Sequence, residues 1–529
     1  MRFDRYRLVA ILASTSLLLS ACQQGTKDAE SAIHVHILIQ NGLVFSGVAG
    51  DTLKPVDVGI QDDKIVYVGD AEKDDVNAAT RIDASGLIVA PGFIDPHTHS
   101  LSELLSKDQN GNLNYVMQGV TTVFNGNDGE GPSMLDDTIR RLEANGIGTN
   151  TALFVGHGSL RDDVMGGENR APTEQELAQI SGLVAEAMQS GALGLSTGLY
   201  YAPGNFAKTD EVVALARVAA EYGGVYDTHL RDESTYNIGL LAAIEETLRI
   251  GREANIPVHI AHIKALGVDV WGQSAAAIEL IEKARESGQN VTANQYPWRA
   301  SGTHLRNTLL PREVLSGSGD QYLQRLRDPS VVAEIWPAMK ENLRRRGGAS
   351  SLLVVVANDA EIMGMTLAEV AESRGQHPID CAIEIMLDGS TRVASFNMNQ
   401  EDIEAFMQRD WVMTSSDGTD GHPRKYASFP KKYRDYVVDK GVISMEEFLY
   451  RSSGLTAETF GLDDRGRIEK GYAADIIAFD PEKLAPVATF ESWNDLSVGV
   501  IYSIINGQLV IRDQRYTDNL PGRVLLGRE

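Results

Sequence analysis

Eight short apolar runs, each followed by a stretch with Glu, Ala and Leu at helical spacing, dominate the middle of this sequence. The runs are LIVAPGFIDPHTH, VTTVFNG, TALFVGHG, ALGLSTG, GVYDTHL, PVHIAHIK, VTANQYP and WVMTSSDG. Strands that alternate with helices pair in parallel, and eight such units predict a (β/α)8 barrel of the TIM type. The predicted fold class is therefore α/β, with the barrel over residues 91–465.

The two ends of the chain show a second pattern, in which short alternating runs are broken by turn residues. This pattern covers residues 33–90 and returns over residues 466–529. We expect one small β-sandwich domain built from both termini, with the barrel inserted between its two parts.

The segment between the seventh and eighth predicted strands, residues 299–411, is longer than any ordinary connection in a barrel. It predicts a mostly helical insertion, at about residues 299–350, that covers the active face as a lid. The apolar run SLLVVVAN at residues 351–358 does not fit the count of eight strands, so we assign it to this long segment.

The charge of the chain argues against nucleic acid as a partner. The net charge of −25 would be repelled by a phosphate backbone. The one dense basic run, LRRRGG with Arg344, Arg345 and Arg346, is interpreted as a solvated helix end. A content of 43% hydrophobic and 23% charged residues is that of an ordinary globular protein.

The N-terminus, MRFDRYRLVAILASTSLLLSAC, has three arginines, an apolar run and small residues before a cysteine. It predicts an export signal over residues 1–21, and its end resembles the bacterial lipoprotein box, in which Cys22 becomes the lipidated first residue. Residues 22–32 then form a polar tether. Gln23 after the cysteine favours the outer membrane, facing the periplasm. An ordinary cleaved signal and an uncleaved anchor are the alternatives.

Two histidines one residue apart, His97 and His99, close the first predicted barrel strand. A strand turns alternate side chains to the same face, so both histidines point one way, as ligands of one metal site must. The earlier pair, His34 and His36, alternates with isoleucine and valine and is interpreted as the polar face of a half-exposed strand.

Other predicted strands also end in polar residues, at the edge where the active residues of such barrels lie. These are His229 on strand five, His262 on strand six and Asp417 on strand eight. Together with the first pair they offer nitrogen and oxygen ligands that suit a divalent metal of the zinc type.

Several segments are similar to those of the amidohydrolase superfamily, and within it to the D-aminoacylase (N-acyl-D-amino-acid deacylase) group. They are PGFIDPHTH, STGLYYAPG, THLRDE, SSDG and HPRKYASFP. The resemblance implies that His97, His99, His229 and His262 are metal ligands and that Asp417 is both a ligand and a proton carrier. The implied cofactor is Zn²⁺, one or two ions per subunit, with Mn²⁺ or Co²⁺ as alternatives.

The end of the second strand departs from that group. The group typically has Gly-Asn-Cys-Gly there, with a thiolate on the metal, whereas this chain has Gly126-Asn127-Asp128-Gly129. Asp128 is the first candidate for the bridging ligand, Glu130 the second, and a site with one fully held metal the third. The other interpretation of Asp128 is a turn residue that caps the next helix.

The expected reaction is hydrolysis of a linear amide. A bound divalent ion polarises the carbonyl and lowers the pKa of its water to about 7, so that hydroxide is available as the nucleophile. Asp417 can take the proton from that water and deliver it to the departing nitrogen.

The expected substrate is a small molecule, an N-acyl-D-amino acid or an L-Xaa-D-Xaa dipeptide. The resemblance places Lys264 and Arg424 near its carboxylate, and Tyr296 and Tyr200 are further candidates for substrate binding. One alternative is an isoaspartyl-type dipeptidase or a cyclic-amide hydrolase of the dihydroorotase or hydantoinase kind, against which the absence of a lysine on strand four argues. Another is a lipid-anchored binding protein with a vestigial site.

Overall fold

The computed structural model describes residues 33–317, 319 and 321–527. The predicted signal peptide, Cys22 and the tether therefore lie outside the described residues. Within the described ranges, no helix combines the length and the apolar character needed to cross a membrane.

The strands are short. The first fifteen are β1 (Ile33–Gln40), β2 (Leu43–Val44), β3 (Lys54–Pro55), β4 (Asp57–Gln61), β5 (Lys64–Gly69), β6 (Val76–Asp83), β7 (Ile88–Pro91), β8 (Phe93–Asp95), β9 (Val120–Asn125), β10 (Asn150–Leu153), β11 (Val155–Gly156), β12 (Gly194–Gly198), β13 (Val225–His229), β14 (Val258–Ile260) and β15 (Val291–Gln295). The others are β16 (Ala300–His304), β17 (Leu352–Val356), β18 (Arg392–Phe396), β19 (Val412–Thr414), β20 (Ile476–Phe479), β21 (Val500–Ile505), β22 (Gln508–Arg512), β23 (Arg515–Tyr516) and β24 (Val524–Leu525).

Helices fill most of the connections between the barrel strands. They are α1 (Leu101–Leu105), α2 (Leu113–Val116), α3 (Leu135–Asn145), α4 (His157–Met165), α5 (Glu174–Gln189), α6 (Thr209–Glu221), α7 (Leu240–Ala254), α8 (Ser274–Glu286), α9 (Leu305–Leu309), α10 (Gln321–Leu326), α11 (Pro329–Arg345), α12 (Leu367–Arg374), α13 (Pro378–Asp388), α14 (Gln400–Met407), α15 (Arg424–Lys431), α16 (Met445–Arg451) and α17 (Gly454–Phe460). Short 3-10 helices lie at Asn127–Gly129, Gly204–Phe206, Arg312–Leu315, Ala349–Ser351 and Ala360–Ile362, and a π-helix at Lys432–Asp439.

Eight parallel strand positions follow one another in barrel order, as the sequence predicts. They are β8, β9, β10 with β11, β12, β13, β14, β15 and β19. Every residue of β9, β13 and β15 is buried, because helices cover one face of each strand and the interior side chains cover the other. The α/β alternation is therefore confirmed.

The hydrogen-bond ladder of these strands is not continuous among the described residues. Phe154 interrupts the third strand position, so that β8 to β10 belong to one sheet, and β11 to β15 together with β19 belong to another. At the opposite junction the Asp417 N–H donates to the His97 carbonyl at 2.9 Å, and Thr98 bridges Gly418. The strands thus form two arcs rather than one closed ladder.

Two further sheets draw on both ends of the chain. One has the order β5-β4-β1-β6, and the other, β23-β22-β21-β20-β7-β2-β3, joins strands from the two termini. Ile37 and Val58 of the first sheet share one apolar cluster with Ile476 and Ile504 of the second. His34 and His36 are exposed on β1, as expected.

The last strand differs from the expectation that residues 466–529 belong to the small β domain. β24 pairs in parallel with β10 of the barrel. The physical reason is the interruption at Phe154, which leaves one edge of β10 without a barrel neighbour, and an unpaired edge of a buried strand needs a partner.

The long insertion between β15 and β19 carries helices α9 to α14, but it is less purely helical than predicted. β16, β18 and β17 form an antiparallel sheet inside it, and the run SLLVVVAN supplies β17. The insertion has its own apolar cluster, in which Leu305, Leu352 and Val393 take part.

The basic run at the end of α11 is only partly solvated. Arg344 is exposed and pairs with Asp269, as expected for a helix end. Arg346 is only 1% exposed and donates hydrogen bonds to the hydroxyls of Tyr236 at 2.7 Å and Tyr200 at 3.0 Å. The solvated interpretation is wrong for Arg346, because the insertion packs this helix end against the loop that follows β12.

Candidate metal centre

The predicted ligands lie together at the carboxyl edge of the parallel strands. His97 and His99 follow β8, His229 is the last residue of β13, and His262 and Asp417 follow β14 and β19. Parallel strands bring their carboxyl ends to one edge, which is why residues far apart in the sequence meet here.

Three of the predicted ligands have left-handed backbone. The φ angles are 58° at Asp128, 35° at His262 and 48° at Asp417. Residues other than glycine rarely adopt this conformation, and such strain concentrates at functional sites. The turns after β9, β14 and β19 therefore aim these side chains inward at a cost in conformational energy.

Two overlapping groups of possible metal ligands share Asp128. His97, His99, Asp128 and Asp417 form one group, and Asp128, His229 and His262 form the other, with the ligand atoms of each group within 4.8 Å of one another. The Oδ1 atom of Asp128 lies 3.6 Å from His97 Nε2, 3.6 Å from His229 Nδ1 and 3.3 Å from His262 Nε2. Asp128 therefore stands where a bridging ligand would.

The residues present suit a divalent metal. Both ring nitrogens of His97 and of His229, and Oδ1 of Asp128, are buried without a hydrogen-bond partner among the described residues. Buried polar atoms are normally satisfied, so a group of unsatisfied nitrogen and oxygen atoms facing one space fits the ligand set of a divalent cation. Burial lowers the pKa of His97 to about 4, although the charge of Asp128 acts in the opposite direction. The imidazole of His97 is therefore neutral, as a metal ligand must be.

Both carboxylates of the cluster are ionised. Burial alone would raise the pKa of Asp128, but His97, His262 and His229 outweigh it and hold that pKa well below its usual range. Burial opposes ionisation of Asp417 as well, and there Arg424 and His262 keep the pKa low. Two anionic side chains next to four histidines give the site the charge that a divalent cation needs.

Three predicted substrate-binding residues lie at one side of the cluster. Arg424 Nη1 is 2.7 Å from Asp417 Oδ2, and the Arg424 guanidinium lies 4.6 Å from the centre of the Tyr296 ring. Lys264 Nζ lies 5.7 Å from the same ring. The Tyr296 hydroxyl is buried and has no hydrogen-bond partner among the described residues, so it remains available to a ligand.

Glu233 was not identified from the sequence, although the segment THLRDE contains it. Its carboxylate accepts a hydrogen bond from Lys264 Nζ at 2.6 Å and lies 3.2 Å from His262 Nδ1 and 3.6 Å from His229 Nε2. It thus orients two predicted ligands from outside the cluster, as carboxylates behind metal-binding histidines do. Its position four residues after His229 was the available signal.

Asp95 is a second residue that sequence reasoning missed. Its Oδ1 accepts hydrogen bonds from the backbone N–H groups of His97 at 3.2 Å and Ser416 at 3.1 Å. It therefore ties the turn after β8 to the turn after β19 and fixes the two segments that carry His97 and Asp417.

Tyr200 and Glu130 lie beside the cluster rather than in it. The Tyr200 ring stacks on His229 with centroids 5.4 Å apart, but its hydroxyl donates to the Asn307 carbonyl at 2.8 Å and accepts from Arg346. Glu130 belongs to neither ligand group, and its side chain lines the neighbouring cavity.

Parallel strands in barrel order and a cluster of buried histidines and carboxylates at their carboxyl edge define a metal-dependent hydrolase. The chain belongs to the amidohydrolase family, whose profile matches residues 80–329 and 345–511. The D-aminoacylase of Alcaligenes xylosoxydans xylosoxydans is 34% identical over 92% of this chain and 97% of its own length. The predicted resemblance to the D-aminoacylase group is thus confirmed.

Two solved structures have the same fold. A D-aminoacylase described as defining a novel subset of amidohydrolases is 32% identical, with a TM-score of 0.80, and the match covers 93% of this chain and all of that one. The N-acyl-D-glutamate deacylase of Bordetella bronchiseptica, complexed with zinc and a phosphonate mimic of the tetrahedral intermediate, is 28% identical, with a TM-score of 0.79 and the same coverage. The family fold is α/β with a TIM barrel, which confirms that part of the prediction.

Proposed function

We propose that this protein hydrolyses the amide bond of N-acyl-D-amino acids, or of L-Xaa-D-Xaa dipeptides, and releases the free D-amino acid. The observation that carries the proposal is the contact between Asp417, a carboxylate of the ligand cluster, and Arg424, a cation that can hold a substrate carboxylate. The similarity to D-aminoacylase over nearly the whole chain supports the same reaction.

We propose zinc as the ion, held by His97, His99, His229, His262 and the two carboxylates Asp128 and Asp417. A zinc complex of a related deacylase supports this choice. When bound, the ion polarises the amide carbonyl and lowers the pKa of water. The chain itself supplies the proton transfers and the orientation of the substrate.

Asp417 is the proton carrier in this proposal. Its Oδ1 lies 3.3 Å from His99 and 3.7 Å from His97, while Oδ2 is held by Arg424. A departing amide nitrogen must be protonated, and a carboxylate at this position can accept a proton on one oxygen and deliver it to that nitrogen.

Arg424 links substrate binding to that proton transfer. In the structure its charge stabilises the ionised form of Asp417. When a substrate carboxylate shares the guanidinium, the positive charge that Asp417 experiences is reduced, so Asp417 becomes a better base at the moment the substrate is in place. Lys264 is already held by Glu233, so it adds a fixed positive charge beside the same carboxylate.

We also propose that the two terminal sheets form a small β-sandwich, which their common apolar cluster supports. A lipid anchor at Cys22 that holds the chain at the outer membrane is a further proposal, supported by the N-terminal sequence alone.

The experiment that tests the function is a substrate screen with the zinc-loaded protein. N-acyl-D-amino acids, their L enantiomers, L-Xaa-D-Xaa dipeptides and cyclic amides are compared by kcat/KM. We expect the D substrates to be preferred and chelation to abolish the activity. Preference for L substrates or for cyclic amides, or full activity after chelation, would refute the proposal.

A further inference from the structure

Arg306 and Arg392 form a second cationic site on the other side of the candidate metal centre. Both come from the insertion: Arg306 lies in α9, and Arg392 begins β18, whose antiparallel partner β16 ends at His304. The three side chains are half-buried. We call Arg306, Arg392 and His304 the outer cationic site.

Arg392 is held in place but has no countercharge. Its Nη1 donates to His304 Nε2 at 3.1 Å, and its Nε is buried without a hydrogen-bond partner. Burial and the two arginines lower the pKa of His304 to about 3, so His304 is neutral and acts here as an acceptor. Among the described residues neither guanidinium forms an ion pair with a carboxylate, and the Arg306 guanidinium lies 5.9 Å from the centre of the Tyr322 ring.

The acidic residues nearby do not neutralise these arginines. Glu103 and Asp420 both pair with Lys425, Asp420 at 2.6 Å. Glu130 is the acid that faces both arginines, but among the described residues it forms no ion pair with either of them. The outer cationic site therefore carries an excess positive charge.

The site opens onto the space beside the metal centre. Arg392 lines a cavity of about 270 Å³ that also exposes His99, Asp128 and Asp417. Arg306 lines an adjoining cavity of about 620 Å³, and Asp128 and Glu130 belong to the walls of both. A molecule bound at the metal centre can thus reach the outer cationic site.

Half-buried guanidinium groups without a countercharge are costly, and their cost is removed by an anionic group of a ligand. One carboxylate of the proposed substrate is already assigned to Arg424 and Lys264, on the Tyr296 side. We infer that the outer cationic site binds a second carboxylate of the substrate, and this inference rests on the proposed function. The second carboxylate belongs either to the side chain of an acidic D-amino acid or to a dicarboxylic acyl group.

The test compares each acidic substrate with its neutral amide. N-acetyl-D-glutamate is paired with N-acetyl-D-glutamine, and N-succinyl-D-leucine with N-succinamoyl-D-leucine. We expect the wild-type kcat/KM to be at least about tenfold higher for the acid in one pair, since a charge-assisted contact is worth about 1.5–3 kcal/mol. The pair that shows the preference identifies the source of the carboxylate.

Arg392→Gln should remove that preference, mainly by raising KM for the acid, with the neutral partner hydrolysed at close to its original rate. Arg392→Lys should keep part of the preference. Arg344→Gln, which changes an exposed arginine of the same insertion, serves as the control and should leave both ratios unchanged. Thermal melting checks that each variant is folded.

The outcomes separate this inference from the proposed function. If neutral N-acyl-D-amino acids are hydrolysed and neither acidic substrate is preferred by the wild-type protein, the outer cationic site does not select substrate and only this inference fails. The same conclusion follows if Arg392→Gln slows acid and amide equally. If no N-acyl-D-amino acid is hydrolysed, the proposed function fails first.

Discussion

At the residue scale, the geometry of the site depends on Asp128. Its two oxygens lie within 3.7 Å of all four histidines, so a change of this one side chain alters the surroundings of every predicted ligand. Its left-handed backbone is tolerated because the short polar side chain of Asp or Asn suits that conformation better than other side chains do.

Asp128→Asn should therefore preserve the turn and remove the charge. We expect the variant to bind fewer metal ions per chain and to lose roughly tenfold or more of its deacylation rate. Asp128→Cys introduces the thiolate ligand that is typical of the group. A cysteine at a φ of 58° should cost roughly 1 kcal/mol in backbone energy. Metal analysis and kcat measure both effects. Wild-type metal content and rate in Asp128→Asn would make Asp128 a turn residue and Glu130 the next candidate.

Asp417→Asn separates proton transfer from metal binding. The four histidines and Asp128 remain, so most of the metal should stay bound, while kcat should fall by about 10²–10⁴-fold because the amide cannot carry the proton. Asp410→Asn, at an exposed position just before β19, is the matched control. If the metal content of Asp417→Asn falls in proportion to its kcat, Asp417 acts only as a ligand and not as the proton carrier.

The sequence predicted the cluster because its ligands sit where strands end, a position that alternation and apolar runs reveal. It did not reveal Glu233, since that residue reaches His262 and Lys264 only when the chain turns back after β13. The sequence did not predict the contact between Arg424 and Asp417 either, because it assigned Arg424 to the substrate carboxylate and Asp417 to the metal.

At the scale of elements, the insertion is held to the barrel by the end of α11. Arg346 joins Tyr236 and Tyr200, and Tyr200 in turn stacks on His229 of β13. The sequence could not show which of the three consecutive arginines forms these contacts, because only the fold determines which one is buried. The sheet of the insertion was missed for a similar reason: β16 and β18 pair across more than eighty intervening residues.

Arg346→Ala should destabilise the fold strongly, by about 3 kcal/mol, because it removes charge-assisted hydrogen bonds and leaves a cavity against two buried tyrosines. Arg344→Ala, two residues earlier, removes two surface ion pairs, with Asp269 and Glu341, and should cost about 1 kcal/mol or less. Thermal midpoints of the two variants give the comparison. Equal midpoints would mean that the end of α11 does not hold the insertion in place.

At the scale of the whole molecule, the first and last strands of the described residues belong to different sheets. β1 begins at Ile33 in one terminal sheet, and β24 completes the edge of β10. The order of the strands was predictable from the alternation along the sequence. The discontinuity at Phe154 and the pairing of β24 with β10 were not predictable, because both depend on which strand edges remain unpaired after folding.

The last prediction concerns the attachment of this molecule to a membrane. Cys22→Ala should abolish fatty-acid labelling and leave the chain as an unprocessed precursor, because the predicted lipid is attached to that sulfur. Hydrolysis by the detergent-extracted precursor should persist, since every residue of the candidate metal centre lies after residue 90.

Labelling with radioactive palmitate and fractionation of the membranes measure the effect. Recovery of the wild-type protein as an unmodified, soluble periplasmic chain would refute the anchor and leave the ordinary cleaved signal as the explanation of the N-terminal sequence.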